Sequence, residues 1–147
     1  MLANRSMPPG TIIAELGYAD VVLAAAWLCE SFGFRERLRI GNHRAQIVFG
    51  DTSIVVVHNV RAPAWNPNNV SPAATAGGCR LMVRVSDIDA HHARARSRGT
   101  RILHPPTDQP YGERQYSAQD PGGHSWVFSQ SIADVNPADW GGELVER

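Results

Sequence analysis

Residues 111–130 read YGERQYSAQDPGGHSWVFSQ. Two strand-like runs, Arg114–Gln119 and Ser125–Gln130, flank Asp120-Pro121-Gly122-Gly123. Proline presets one φ of a turn and glycine admits positive φ, so the two runs are expected to pair as a hairpin. Asp120 is placed to bond the turn's own amides. Trp126 and Phe128 alternate with Ser125, Val127 and Ser129. Alternation of this kind sends the aromatic pair into a core under a helix and the other three to the opposite face.

Upstream, CRLMVRV begins a strand at Cys79, with Leu81, Val83 and Val85 on one side and Arg80, Met82 and Arg84 on the other. Asp87 is a candidate helix cap, Ile88, His92 and Ala95 share one side of the helix, and Gly99 ends it. A strand over Arg101–His104 then leads to the hairpin. The first half of the chain has the same order. A strand is predicted over about Thr11–Tyr18, a helix capped by Asp20 runs to Gly33, and strands follow at Arg35–Ile40, Ala45–Phe49 and Ser53–His58. Gly50-Asp51 is the hairpin turn between the last two. Ala24, Trp27, Leu28 and Ser31 mark one helical face.

An internal repeat of this size outranks any single motif. It predicts an α+β chain of two tandem βαβββ modules, each too small to bury its own sheet. Module one covers 11–59, a Pro-, Asn-, Ala- and Gly-rich linker 60–78, module two 79–131, and a C-terminal tail 132–147. Together they form one domain over 1–147. The tail is expected to pack on its own or a partner subunit.

Composition narrows the function. The 147 residues are 43% hydrophobic and 19% charged, and 14 basic residues balance 14 acidic ones. A net charge of zero argues against nucleic acid and against a polybasic membrane contact. Every basic residue is arginine, which excludes a Schiff-base or P-loop lysine. Cys29 and Cys79 form no CxxC pair and read as free thiols of a reducing compartment. No apolar run approaches ~20 residues, and MLANRSMPPG lacks a signal-peptide core. A soluble cytoplasmic protein is expected.

The tandem βαβββ order, with DPGGHSWVF closing the second module and AAAWLCESFGF in the first, resembles the vicinal oxygen chelate superfamily. That superfamily includes glyoxalase I, bleomycin-resistance proteins, fosfomycin-resistance enzymes and extradiol dioxygenases. The likeness spans about residues 11 to 131. It implies two curled mixed sheets whose concave faces enclose a cavity, with helices on the convex faces, and it implies a homodimer. Metal-dependent members hold a divalent cation with four His or Glu ligands from the first and last strands of each module. Carried over by position, those ligands fall at Ile13, near Val55, at Arg80 and at Val127. None suits a cation, and a tight site needs at least three good ligands. No metal and no cofactor are therefore expected, although a shift of two residues offers Glu15, and His58 overlooks the pocket mouth.

The expected role is the binding of a small aromatic or anionic molecule in the cavity. Strand parity puts Glu15, Arg80, Met82 and Val127 on the concave side. Glu15 and Arg80 are candidates for a buried ion pair, or for separate duties. In the second case Arg80 takes a carboxylate and Glu15 an amine, or Glu15 acts as a base. Arg114 and Tyr116 are candidates for gripping the ligand, with Arg114 paired to Glu113 or to a surface carboxylate as the plainer reading. Trp65 and Trp140 are candidate covers of a pocket or subunit contact, or pack locally. His124 is read as structural, and His91 and His92 as a surface and a partly buried residue. Two rival functions stay open. One is a metal-dependent lyase, isomerase or dioxygenase with shifted ligands such as Glu15 and His58. The other is a structural or regulatory interaction protein.

Overall fold

The computed structural model describes residues 2–68 and 79–145. The first unit contains β1 (Ala14–Tyr18), α1 (Val21–Phe32), β2 (Arg35–Ile40), β3 (Arg44–Phe49) and β4 (Thr52–His58). The second contains β5 (Arg80–Arg84), α2 (Ile88–Ser97), β6 (Arg101–Asp108), β7 (Glu113–Gln119) and β8 (Ser125–Ser131), followed by a 3-10 turn at Pro137–Trp140. Of the expected linker 60–78, residues 69–78 lie outside the described residues.

Both units close in the same way. The sheets have strand orders β1-β4-β3-β2 and β5-β8-β7-β6. In each, the first strand pairs parallel with the last and the other pairs are antiparallel. Two mixed sheets result, each left open at its edges. The helix signals act as their chemistry requires. Asp20 accepts from Leu23 N–H at 3.0 Å and Asp87 from Ala90 N–H at 3.0 Å. Gly33 ends α1 at φ +82°, a conformation that costs other residues steric strain.

Two boundaries depart from the sequence reading by three residues or more, and several others by one. β1 starts at Ala14, not Thr11, where its ladder with β4 begins opposite Ile54. β6 runs on through Pro105 and Pro106 to Asp108. Register shifts between Ile102 and His104 and between His104 and Thr107 take up the residues that cannot donate to the ladder.

One core joins the units. α1 lies across β2–β4 and also touches α2. Its buried Phe32 meets Trp126 at 5.5 Å and Phe128 at 4.7 Å between ring centroids, and Phe34 meets Trp126 at 5.5 Å. Burying a phenylalanine of this kind is worth about 1.5–3 kcal/mol. His91 reinforces the junction. Its Nε2–H donates to the Phe32 carbonyl at 2.8 Å, which leaves Nδ1 to accept from the Tyr116 hydroxyl at 2.6 Å. His91 thus links the helices to β7 by hydrogen bonds, and His92 adds an edge-on contact with the Tyr116 ring at 5.1 Å.

Asp120 is the deepest polar group of the interior, with no exposed surface. Its Oδ1 accepts from Gly122 and His124 N–H, each at 3.0 Å, as the turn chemistry foretold. Its Oδ2 accepts from the Tyr18 hydroxyl at 2.6 Å and from Trp126 Nε1–H at 3.0 Å. The turn of the second unit is therefore bolted to the end of β1 in the first. Burial pushes the Asp120 carboxyl above its ordinary range, opposed by these hydrogen bonds, and pushes the Tyr18 phenol up in the same way, with the neighbouring carboxylate adding to it. Gly122 permits the approach, since a Cβ there would sit 2.3 Å from Tyr18 Cδ1.

Asp120→Ala strands four donors and is expected to cost about 3–5 kcal/mol in urea unfolding, whereas Tyr18→Phe removes one hydrogen bond and is expected to cost about 1–2 kcal/mol. Equal small losses would contradict the bolt.

Burial, with the Arg94 charge adding to it, holds His91 below its ordinary pKa against the hydrogen bond that its Nε2–H donates to the Phe32 carbonyl. The unfolded chain then binds the extra proton first as pH falls. The His91 contribution is therefore whole above about pH 6.5 and is lost as pH drops from there through the folded pKa. The gap in urea midpoint between the native chain and His91→Gln is expected to shrink over that window. A gap independent of pH would contradict a neutral, buried imidazole.

Candidate functional site

The register of the second sheet defines its face away from the helices. Arg80, Ser125, Gln119 and Arg101 form one row across the strands. Met82, Val127, Ser117 and His104 form the next, and Arg84, Ser129, Gln115 and Thr107 the third. The middle row, with Arg80, Gln115 and Tyr111, lines a cavity of about 350 Å³. Val127 is its buried apolar floor, and Met82, 65% exposed, stands at its rim.

Most polar groups of this face are already occupied. The Ser129 hydroxyl donates to Glu113 Oε1 at 2.7 Å and accepts from Gln115 Nε2–H at 3.1 Å, and Gln115 Oε1 accepts from the Tyr111 hydroxyl at 2.8 Å. Burial acts to raise the Glu113 carboxyl, but hydrogen bonds from Ser131 and Ser129 and the charge of Arg84 outweigh it and hold it below its ordinary value. Arg101 donates to Gln119 Oε1 at 2.9 Å. Two kinds of group stay uncommitted. Among the described residues Arg80 makes no hydrogen bond or ion pair, and the hydroxyls of Ser117 and Ser125 have no partner. A buried hydroxyl without a partner is uncommon and calls for an explanation.

Arg80, Met82, Tyr116 and Val127 are thus the sequence candidates that border this cavity, Tyr116 with its ring turned to the helix side. The others lie elsewhere. Glu15 pairs with Arg44 at 2.6 Å, not with Arg80, because β1 and β5 belong to different sheets. Arg114 and Tyr116 occupy the helix side, since Tyr116 stands opposite Phe128 in the hairpin register. Arg114 is held by Asp89 at 3.1 Å and Asp108 at 2.9 Å, and not by Glu113. Tyr116 is buried against His91 and Phe128, and burial raises its phenol. Trp65 packs on Tyr18 and Trp27, with centroids 6.2 and 6.1 Å away. Trp140 packs locally on Tyr111 at 5.0 Å. His58 lines a small hollow of about 200 Å³ with Asp20 and His43 at the far end of β4. His124 packs tilted against Tyr18, with ring centroids 4.7 Å apart, and donates Nε2–H to the Gly17 carbonyl at 2.8 Å, a structural use. Sequence reading missed Ser117, Gln115 and His104. The signal was present, because pairing Gln119 with Ser125 across the turn sets Ser117 opposite Val127.

The residues do not fit a divalent cation. In the first sheet Glu15 stands beside Val55, and in the second Met82 stands beside Val127. Among the described residues no group of three or more His, Cys, Asp or Glu converges on a point that could hold a metal. A second groove, of about 590 Å³, runs between the units and is lined by Ile12, Phe34, Phe49, Ile54 and Leu81 among others. It is mostly apolar, with Asp51, Thr52, Ser53 and Arg84 also on its lining; the smaller cavity, where an unpaired guanidinium and a partnerless buried hydroxyl share the lining, is the candidate site.

Comparison with known proteins agrees with this architecture. The model of the Glyoxalase/Bleomycin resistance protein/Dioxygenase superfamily matches residues 13–128. Among solved structures, TioX from Micromonospora sp. ML1 is 34% identical, with a TM-score of 0.65 over 86% of this chain and 100% of TioX. The bleomycin-binding protein of Streptomyces verticillus, solved with copper(II)-bleomycin, is 18% identical, with a TM-score of 0.57 over 80% of this chain and 92% of that one. An uncharacterized protein of Mycobacterium tuberculosis, Rv0887c, is 36% identical over 56 residues, 38% of this chain. That match spans about a third of the relative's length (33%). The chain belongs to the Glyoxalase/Bleomycin resistance protein/Dioxygenase superfamily.

Protein purified without chelator is expected to carry less than about 0.1 equivalent of any transition metal by elemental analysis, since a tight site needs three or more ligands. A stoichiometric ion that survives dialysis would contradict the fit.

Proposed function

We propose that the chain binds a small organic anion with an apolar body in the cavity of the second sheet. The observation that carries this reading is an uncompensated guanidinium, Arg80, lining the same cavity as the partnerless buried hydroxyl of Ser117. A guanidinium matches a carboxylate in shape as well as charge. Met82 and Val127 supply the apolar wall, and the locked Gln115 amide and His104 add polar contacts that fix orientation. In relatives that use a cation near this position, the ion attracts substrate oxygens. Here the side chain brings its own positive charge. Binding without a chemical step suffices for the role, and a protein of the same fold solved with copper(II)-bleomycin supports the capacity of the architecture to hold a ligand.

The setting belongs to the same proposal. Among the described residues no helix is long and apolar enough to cross a membrane, and the zero net charge favours neither nucleic acid nor an anionic membrane. A cytoplasmic homodimer is inferred. The open edges of β1 and β5 and the apolar groove beside them are the surface that a second copy would cover.

Titration with 2-naphthoate, followed by calorimetry, tests the site. The native chain is expected to bind, Arg80→Gln to lose about ten-fold or more in affinity, and Tyr116→Phe to bind as the native chain does, because a charged hydrogen bond is worth about 1.5–3 kcal/mol. Equal affinities for native and Arg80→Gln chains would overturn the assignment. In the same buffer the protein is expected to sediment as a dimer, and a monomer at high concentration would remove the paired form.

A further inference from the structure

The corresponding face of the first sheet is not open. Gln46, Val48, Ser53 and Val55 form a patch on β3 and β4, with Gln46 beside Val55 and Val48 beside Ser53. All four are buried. What covers them is the chain itself. Arg37 Nη2–H donates to the Arg5 carbonyl at 2.7 Å, Gln46 Nε2–H to the Ser6 carbonyl at 2.8 Å, and the Ser53 hydroxyl to the Pro9 carbonyl. Pro8 lies buried between these contacts. A second bond, from Arg37 Nη1–H to Gln46 Oε1, turns the Gln46 amide so that its N–H₂ faces the segment.

The match is chemical as well as steric. All three side chains offer donors to the segment. Residues 5–9, Arg-Ser-Met-Pro-Pro, offer carbonyls, and two of the five lack a backbone N–H altogether. A donor surface facing an N–H-poor chain leaves no buried amide unsatisfied. The segment turns at its start, where Met7 N–H donates to the Asn4 carbonyl at 3.1 Å and Ser6 N–H to Asn4 Oδ1 at 3.1 Å, and the consecutive prolines stiffen the remainder, which lowers the cost of ordering it. Nothing in this arrangement requires the bound carbonyls to belong to the same chain. Of residues 5–9 only Pro8 is buried, and the segment belongs to no strand or helix.

We infer that the helix-averted face of the first sheet is a binding trough for N–H-poor peptide chains of the Pro-Pro type, and that residues 5–9 are its tethered occupant. The trough is separate from the anion cavity, which lies on the second sheet. Arg37 and Gln46 read carbonyls, Ser53 reads a third, and the floor of Val48 and Val55 takes a pyrrolidine ring. A short tether gives an effective concentration near the millimolar range, so a free peptide competes only at about 1–10 mM.

Limited trypsin digestion of the full chain, read by mass spectrometry, tests this. Cleavage between Arg5 and Ser6 is expected to be at least about ten-fold slower than in a free peptide of residues 2–13, because cutting requires the segment to leave the trough. Gln46→Ala is expected to remove most of that protection. The uncut competitor acetyl-Ala-Ser-Met-Pro-Pro-Gly-amide is expected to speed the Arg5 cut saturably and leave cleavage at the exposed Arg61 unchanged. The same peptide with alanines for both prolines is expected to do so far less. An unprotected Arg5 bond would overturn the seating. A protected bond that about 10 mM competitor does not affect would overturn the trough as a site for other chains. Equal effects of the two peptides would overturn its preference for prolines.

Discussion

A carboxylate without exposed surface accepts two hydrogen bonds from its own turn and two from aromatic side chains, one of them 102 residues away in sequence. The joining of the two units and the facing of the second sheet both depend on that arrangement at Asp120. It sets the hairpin turn against the end of β1, where Gly122 leaves room for the Tyr18 ring. It also directs the indole of Trp126 inward. Once Trp126 points to the helices, strand geometry assigns every other residue of β8. Phe128 goes with it, and Ser125, Val127 and Ser129 go to the opposite face. The cavity floor at Val127 is thus a consequence of where one indole N–H finds its acceptor.

The two units use one plan for different ends. Each presents a sheet face turned away from its helix. In the second unit that face holds an unpaired guanidinium and orphan hydroxyls around an apolar floor. In the first it is covered by residues 5–9 through three side-chain donors. In metal-dependent relatives a cation occupies this region and supplies its positive charge. Here Arg80 carries positive charge in one sheet, and Glu15 is neutralised by Arg44 in the other. The guanidinium of Arg80 cannot ligate a cation, and the Glu15 carboxylate is engaged by Arg44.

Much of the architecture was readable in advance. The repeat, both helix caps, the left-handed Gly33 and the alternation in β5 and β8 are local signals, and local chemistry decides them. Arg80, Met82 and Val127 followed from parity within single strands. What single strands could not give was pairing. The register across the turn directs the Tyr116 ring and Arg114 to the helix side, where Arg114 meets Asp89 and Asp108. Counting back from Gln119 opposite Ser125 puts Tyr116 against Phe128, at the border of the cavity, and adds Ser117 and Gln115 to its lining. Other features had no local trace. The Tyr18–Asp120 bond, the Glu15–Arg44 pair and the covering of Gln46 by Ser6 join residues 102, 29 and 40 positions apart. Only the closed fold brings such groups within reach.

Hydrogen exchange at the Trp126 indole N–H, followed by NMR in the native chain, reports most directly on the Asp120 bolt. If the carboxylate holds that proton inside a core shared by both units, exchange proceeds only through global unfolding. Its opening free energy then equals that of the slowest backbone amides of β7 and β8. Exchange of the indole proton well ahead of those amides, with the sheets intact, would mean that the bond is absent or opens locally, and the assignment of faces built on it would fall.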